Sequence, residues 1–261
     1  ASLMPLLPAG QVLDFPHGFG MALNASCPCE RDLYYRDGEL DTFRLMNEFL
    51  KPGMGVADCG ANIGFYTLVA SRLVGAEGTV YAFEPSPTSF ARLQRHVAIN
   101  GCVNVRTFPY ALGSRRGTAE VYELDPRNHG RNTLVAPAGA GRRIGTCELI
   151  TIDELVAGGS MKPPHVMKIA VEGSELDLLK GAEGLLRSER VPVMVIEMSR
   201  ATMRRFGYEP EDLVRYLLAI RPFSVEGLFG GQRHPVRAGA SLPHDRVFGQ
   251  DASINYLFTP A

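Results

Sequence analysis

No run of about 20 apolar residues, the length a membrane-spanning helix needs, occurs in this 261-residue chain. Neither sign of charge dominates: 27 basic residues against 28 acidic ones leave a formal net charge of -1. Without a long basic stripe there is no surface to concentrate phosphate backbones, so neither a nucleic acid nor a membrane is expected as partner. Five cysteines are too few for a disulfide framework, and Cys59, Cys102 and Cys147 fall in or beside segments that read as buried. Cys27 and Cys29 form a C-P-C pair, but no second Cys/His pair completes a zinc site, so a structural role is expected. The apolar stretch Ala1 to Gly10 lacks a basic region and is broken by Pro5 and Pro8; it does not read as a signal peptide, and the expected compartment is cytoplasmic. No repeat or low-complexity tract is present.

What is present is an ordinary globular composition, 45% hydrophobic and 21% charged, at a length that suits one sizeable domain. From about Gly55 onward, strand-like and helix-like runs alternate, the pattern of a parallel sheet wrapped by helices. Strands are predicted at Val56 to Cys59, Thr79 to Phe83, Val103 to Phe108, His165 to Ala170, Val193 to Glu197 and Ile254 to Phe258. Helices are predicted at Phe65 to Leu73, Pro87 to Asn100 and Glu209 to Ile220, with one or two short ones in Ser174 to Leu186. Gly117 to Leu124 alternates like a half-exposed strand, and the Gly-, Arg-, Asn- and Pro-rich stretch near 125–145 reads as a mobile insertion. Residues 1–40 read as an N-terminal cap or loop segment ahead of a domain spanning 41–261, within which Gly227 to Gln250 reads as loops.

The segment Asp58-Cys59-Gly60-Ala61-Asn62-Ile63-Gly64 follows a strand and opens a helix, where an open α/β sheet places its ligand crevice. Gly60 permits a tight turn and Gly64 lets the helix come close, leaving a ligand against bare amides. A dinucleotide loop usually reads G-x-G-x-x-G; this one reads G-A-N-I-G and carries Asp58, whose carboxylate suits a cationic ligand such as S-adenosylmethionine better than a pyrophosphate. Glu84 ends the next strand in V-Y-A-F-E-P, where an acidic side chain can accept both hydroxyls of a ribose.

Taken together, Asp58 to Gly64, V-Y-A-F-E-P, the Asn100 region, Ala111-Leu112-Gly113, Thr151 to Leu155, Lys168-Ile169-Ala170-Val171-Glu172-Gly173 and V-I-E at 195–197 resemble the FkbM family of methyltransferases over residues 40–200. The resemblance implies a Rossmann-like class I methyltransferase fold, α/β with a seven-stranded, mostly parallel sheet and helices on both faces. It also implies S-adenosylmethionine as donor and a hydroxyl acceptor on a sugar, polyketide or related metabolite. By matching positions, Asp58, Gly60, Ala61, Asn62 and Gly64 would surround the methionine moiety, Glu84 the ribose, and Pro85, Tyr110 and Ala111 the adenine, with Thr42 closing over the donor.

An alcohol gives up its proton only with help, so a general base or a metal ion is expected beside the donor. Glu172 and Glu197, each at the end of a strand, could contribute oxygen ligands to Mg²⁺; alternatively Glu172 and Glu175 only begin a helix. His129, in Arg127-Asn128-His129-Gly130-Arg131-Asn132, is a candidate for acceptor contact or proton transfer, against an ordinary exposed loop histidine. Arg127, Arg131, Arg142 and Arg143 make the insertion basic, able to recruit an anionic or polyhydroxylated acceptor or simply solvated. Members of the resembled family usually carry Asp where this chain has Ala170, and alanine neither ligates a metal nor takes a proton. An inactivating change at the catalytic and metal position is therefore expected. The partner expected is a small-molecule or saccharide acceptor, and a homodimer is left open. Two competing readings are an NAD(P)-dependent oxidoreductase, disfavoured by the missing third glycine and the lack of a Tyr-x-x-x-Lys pair, and a donor-binding protein without catalysis.

Overall fold

The computed structural model describes residues 12–15, 18–24, 26–35, 40–128, 130–136, 141–236, 242 and 253–261. The chain opens with β1 (Val12–Phe15), β2 (Phe19–Ala22), α1 (Pro28–Tyr35) and α2 (Leu40–Phe49). The central units follow as β3 (Gly55–Cys59), α3 (Phe65–Val74), β4 (Thr79–Phe83), α4 (Pro87–Ile99) and β5 (Val105–Phe108). Next come β6 (Tyr110–Leu112), β7 (Gly117–Glu123), β8 (Asn132–Thr133), β9 (Arg142–Ile150) and α5 (Ile152–Ala157). The rest is β10 (Val166–Ile169), α6 (Glu175–Lys180), α7 (Glu183–Arg187), β11 (Val193–Ser199), α8 (Arg200–Arg205), α9 (Pro210–Ile220), β12 (Phe223–Phe229), β13 (Gln232–Pro235) and β14 (Ser253–Pro260).

The main sheet has the spatial order β13-β12-β14-β11-β10-β3-β4-β5. Strands β11, β10, β3, β4 and β5 are parallel, and β14 enters antiparallel between β11 and β12. Period-two alternation feeds two cores: Val56, Val80 and Val166 face a cluster with α3, whereas Ala57, Cys59, Tyr81, Phe83, Met167 and Ile169 face the cluster built on α6, α7 and α9. Chain order runs outward from β3 to β5 on one side and from β10 to β11 on the other. The switch point, with its crevice at the strand carboxyl ends, therefore falls between β3 and β10.

Four sequence expectations change. The sheet has eight strands instead of seven, because Gly230 and Gly231, at φ 61° and 71°, turn β12 back into β13. The start of the stretch expected to be loop at Gly227 to Gln250 is thus sheet. The insertion near 125–145 is not irregular throughout: Arg142 to Gly145 belong to β9, which pairs antiparallel with β7 across a register shift at Val121/Tyr122. With β6 and β8 these strands form a second, four-stranded sheet. Thr42, expected just before the first central strand, is buried on α2.

Within the N-terminal segment, β1, β2 and α1 form a cap over α3 and α4. Phe15, Phe19 and Phe65 pack ring against ring, with centroids 5.2 to 5.8 Å apart. Polar ties fix its position: Asn100 exchanges hydrogen bonds with Gly20 N–H and carbonyl, both at 2.8 Å, and Ala22 N–H donates to His96 Nε2 at 3.1 Å. Burial above all, aided by the Arg92 charge, lowers the His96 pKa and favours the neutral ring that this acceptor role needs. The buried Glu30 carboxylate meets Arg92 at 2.5 Å and 2.8 Å. Because Arg92 is partly exposed, Arg92→Ala is expected to cost about 2–4 kcal/mol, near the lower end for a stranded buried charge. Urea denaturation with tryptic cleavage of the N-terminal segment checks this; an unchanged midpoint would refute the tether.

Candidate active site

The glycine loop is held from both sides. Gly60 and Ala61 N–H donate to the Phe83 carbonyl at 3.0 and 2.9 Å, while Lys168 Nζ donates to the Gly60 carbonyl at 2.9 Å. Gly60 has φ 81°, and a Cβ there would lie 1.9 Å from the Ala170 carbonyl oxygen, so only glycine fits. Gly64, at φ 97°, caps α3 and packs on Leu93 of α4. Asn62 takes a left-handed φ of 48°, which asparagine tolerates, and its buried Oδ1 has no hydrogen-bond partner.

Glu84, at the end of β4, is buried with both oxygens ordered: Oε2 accepts from Asn62 N–H and Oε1 from Ser86 N–H, each at 2.8 Å. Burial, only partly offset by these two amides, pushes its carboxyl up to about 7. Asp58 is committed elsewhere. Its Oδ2 accepts from Thr67 Oγ1 of α3 at 2.6 Å and its Oδ1 lies 3.3 Å from Lys168 Nζ of β10. The side chain expected to face a cationic ligand therefore reaches the loop through Lys168.

Two cavities share one floor. An apolar slot of about 590 Å³ runs between Pro85, Tyr110, Ala111, Leu112 and Leu134, with Glu84 and Asn62 at its side. A larger, polar cavity of about 1300 Å³, counted to its open mouth, is lined by Ala61, Tyr66, Arg131, Lys168, Glu197 and Ser199 among others. Gly60, Asn62, Gly130, Ala170 and Glu172 border both. Glu172 sits in left-handed backbone at φ 52°, and burial, followed by Glu197 and Glu175, pushes its carboxyl up to about 8. Glu175 is buried and taken up by structural hydrogen bonds: it accepts from Val171 N–H at 3.2 Å, Gly173 N–H at 3.1 Å and the Tyr208 hydroxyl at 3.0 Å.

Of the residues selected from sequence, Gly60, Ala61, Asn62, Glu84, Pro85, Tyr110, Ala111, Ala170, Glu172 and Glu197 come together on these walls. Thr42, Asp58 and Gly64 line neither cavity. His129 lies outside the described residues. The Mg²⁺ expectation finds no support: Ala170 offers no ligand atom, and among the described residues no group of three His, Cys, Asp or Glu side chains gathers. Lys168 had no role assigned from sequence. Its signal was a lysine in the apolar run of a central strand, a placement that calls for a partner.

The chain matches the Methyltransferase FkbM domain over residues 58–223, and it belongs to that family of methyltransferases. It is 31% identical over 180 residues to "Hexuronic acid methyltransferase AglP" of Haloferax volcanii, covering 69% of this chain and 68% of that protein. It is 25% identical over 146 residues to "Methyltransferase 1" of Beauveria bassiana, covering 49% of this chain and 58% of that one. Among solved structures, methyltransferase FkbM from Methylobacillus flagellatus KT aligns at 20% identity and TM-score 0.49, over 91% of this chain and 56% of that one. That likeness is too low to transfer residue roles. Family membership sets aside the oxidoreductase reading.

The Glu84 shift has a sign that can be checked. A raised carboxyl pKa means that the folded state holds more protons than the unfolded state between about 4.5 and 7, so stability falls as pH rises through that window. Relative to Glu84→Gln, which does not titrate, the wild-type protein is expected to lose about 3 kcal/mol from pH 4 to pH 8. Parallel stability curves for the two proteins would show that the carboxyl is not shifted by burial.

Proposed function

We propose that this methyltransferase moves the methyl group of S-adenosylmethionine to a hydroxyl of a saccharide or related small metabolite. The observation that carries the reading is the shared floor: a donor-shaped apolar slot and a polar cavity meet at Gly60, Asn62, Ala170 and Glu172. The residues present fit the donor. Asn62 Oδ1 is a buried acceptor awaiting a donor such as an ammonium, and the slot between Pro85, Tyr110 and Ala111 suits an adenine ring. When bound, S-adenosylmethionine supplies an electrophilic methyl on a sulfonium, already a good leaving group.

The chain's own work is then alignment and proton removal. Glu84, its orientation fixed by two backbone amides, presents its remaining lone pairs to the ribose hydroxyls. Lys168 and the Phe83 carbonyl hold the Gly60 loop in place, so the donor meets a preformed surface. Glu172, bordering both cavities with its carboxyl pushed up to about 8, is the group placed to take the acceptor's proton, in the ionised form that becomes more populated as pH rises toward 8. The relative named for hexuronic acid supports a sugar acceptor. A second reading, donor binding with impaired catalysis, rests on Ala170, which lines both cavities and carries no polar side-chain atom.

Two experiments test these readings. Glu84→Ala is expected to weaken S-adenosylmethionine binding by about 1–3 kcal/mol through loss of charge-assisted hydrogen bonds, and calorimetric titration showing equal affinity would remove Glu84 from the donor site. On the second reading, Ala170→Asp leaves donor affinity unchanged and raises single-turnover transfer to free hexuronates and hexoses about 100-fold, the scale of a restored general base. Equal rates would sink the catalytic role of the position, while a gain that vanishes with a chelator would assign the new carboxylate to a metal.

A further inference from the structure

Four arginines make the β7–β9 region basic, but the structure does not leave them equivalent. Arg127 pairs with Asp125 at 3.2 Å, Arg142 with Glu123 at 2.9 Å and Arg143 with Glu120 at 2.7 Å, so three of the charges are met locally. Arg131 differs from them. Its backbone N–H closes a turn onto the Asn128 carbonyl at 3.1 Å, and among the described residues its side chain has no ion pair or hydrogen bond. It is exposed, and it lines the polar cavity but not the apolar slot. The carboxylates of the same cavity, Glu172 and Glu197, are half-buried and hence deeper. A guanidinium that feels the Asp125 and Glu172 charges without an ion pair to either, on the wall of a cavity that carries hydroxyl and amide groups at Ser199, Thr202, Ser253 and Asn128 beside apolar ones such as Leu33 and Phe65, is arranged to receive an anion attached to a polyhydroxylated body.

We propose that Arg131 is a specificity-determining residue that grips a carboxylate of the methyl acceptor, so that the acceptor is an acidic saccharide. The assignment rests on the methyl-transfer reading for the role of the cavity, and on the geometry for its charge preference. The planar fork of the guanidinium takes both oxygens of a carboxylate at once, fixing the orientation of the sugar as well as adding affinity. A carboxylate at the rim keeps the hydroxyls of the ring toward Glu172 and the shared floor. The donor's own methionine carboxylate is the other source of the same chemistry, and titration of S-adenosylhomocysteine separates the two.

Free glucuronate and free glucose, which differ in the carboxylate, are the probes. Each is titrated into wild-type protein, Arg131→Ala and Arg127→Ala, with and without S-adenosylhomocysteine, and S-adenosylhomocysteine is titrated into all three. Glucuronate is expected to bind wild-type protein at least about tenfold more tightly than glucose, as a charge-assisted bidentate contact provides. Arg131→Ala is expected to bring glucuronate to the level of glucose with S-adenosylhomocysteine affinity unchanged, and Arg127→Ala to alter neither. Equal binding of the two sugars, no measurable glucuronate binding, or indifference to Arg131→Ala overturns the proposal. A loss confined to S-adenosylhomocysteine also overturns it, by moving Arg131 to the donor's carboxylate. If S-adenosylhomocysteine binds none of the proteins while glucuronate still depends on Arg131, the donor reading fails and the Arg131 assignment stands.

Discussion

The site depends on one close approach. The turn after β3 crosses the end of β10 so tightly that a Cβ on Gly60 would lie 1.9 Å from the Ala170 carbonyl. The constraint places the floor of both cavities at the switch point of the sheet, and it leaves the loop amides free to be satisfied from neighbouring strands. Phe83 supplies the acceptor on one side, and Lys168 the donor to the Gly60 carbonyl on the other. Neither residue need touch a ligand to set where Asn62 and Glu84 stand.

Buried charge is the second theme. Asp58 and Lys168 are both almost inaccessible in the middle of a parallel sheet, an expensive place for ions unless they pair and are hydrogen-bonded. Here Thr67 hydrogen-bonds Asp58 Oδ2, Lys168 faces Oδ1 at 3.3 Å, and Lys168 also donates a hydrogen bond to the loop. Glu84 and Glu172 have no ion pair of that kind, and burial raises their carboxyls to about 7 and about 8. The chain thus separates carboxylates that hold the architecture from carboxyls poised near neutrality beside the cavities, as expected where chemistry needs a proton acceptor.

The N-terminal cap and the small sheet frame this crevice from opposite sides. The cap carries Cys29 and Leu33 to the polar cavity, and the small sheet carries Val121 and Thr133 to the slot. Each is anchored by contacts distant in sequence, such as Glu30 with Arg92 and Gly113 N–H with the Ile150 carbonyl. Both cavities therefore take part of their walls from the parallel sheet and part from elements attached to it.

The parallel strands, their helices, the glycine loop and Glu84 were legible in the sequence because each is a local pattern: an apolar run, a 3.6-residue period, a turn needing positive φ, an acid closing a strand. The β12–β13 hairpin and most of β9 were not, since their short strands are made by pairing across the chain and not by their own periodicity. The same division holds in the site. Sequence by itself picked out many of the residues that line the two cavities, but not the places of Asp58, Gly64 and Thr42. Asp58 looked like a ligand contact because it begins the motif, and only Lys168, 110 residues away in sequence, shows it committed to the core. Likewise the four arginines were equivalent as composition. Tertiary structure alone decided that three are matched by acids and that Arg131 faces the cavity, because ion pairing depends on distances that neighbours in sequence do not specify.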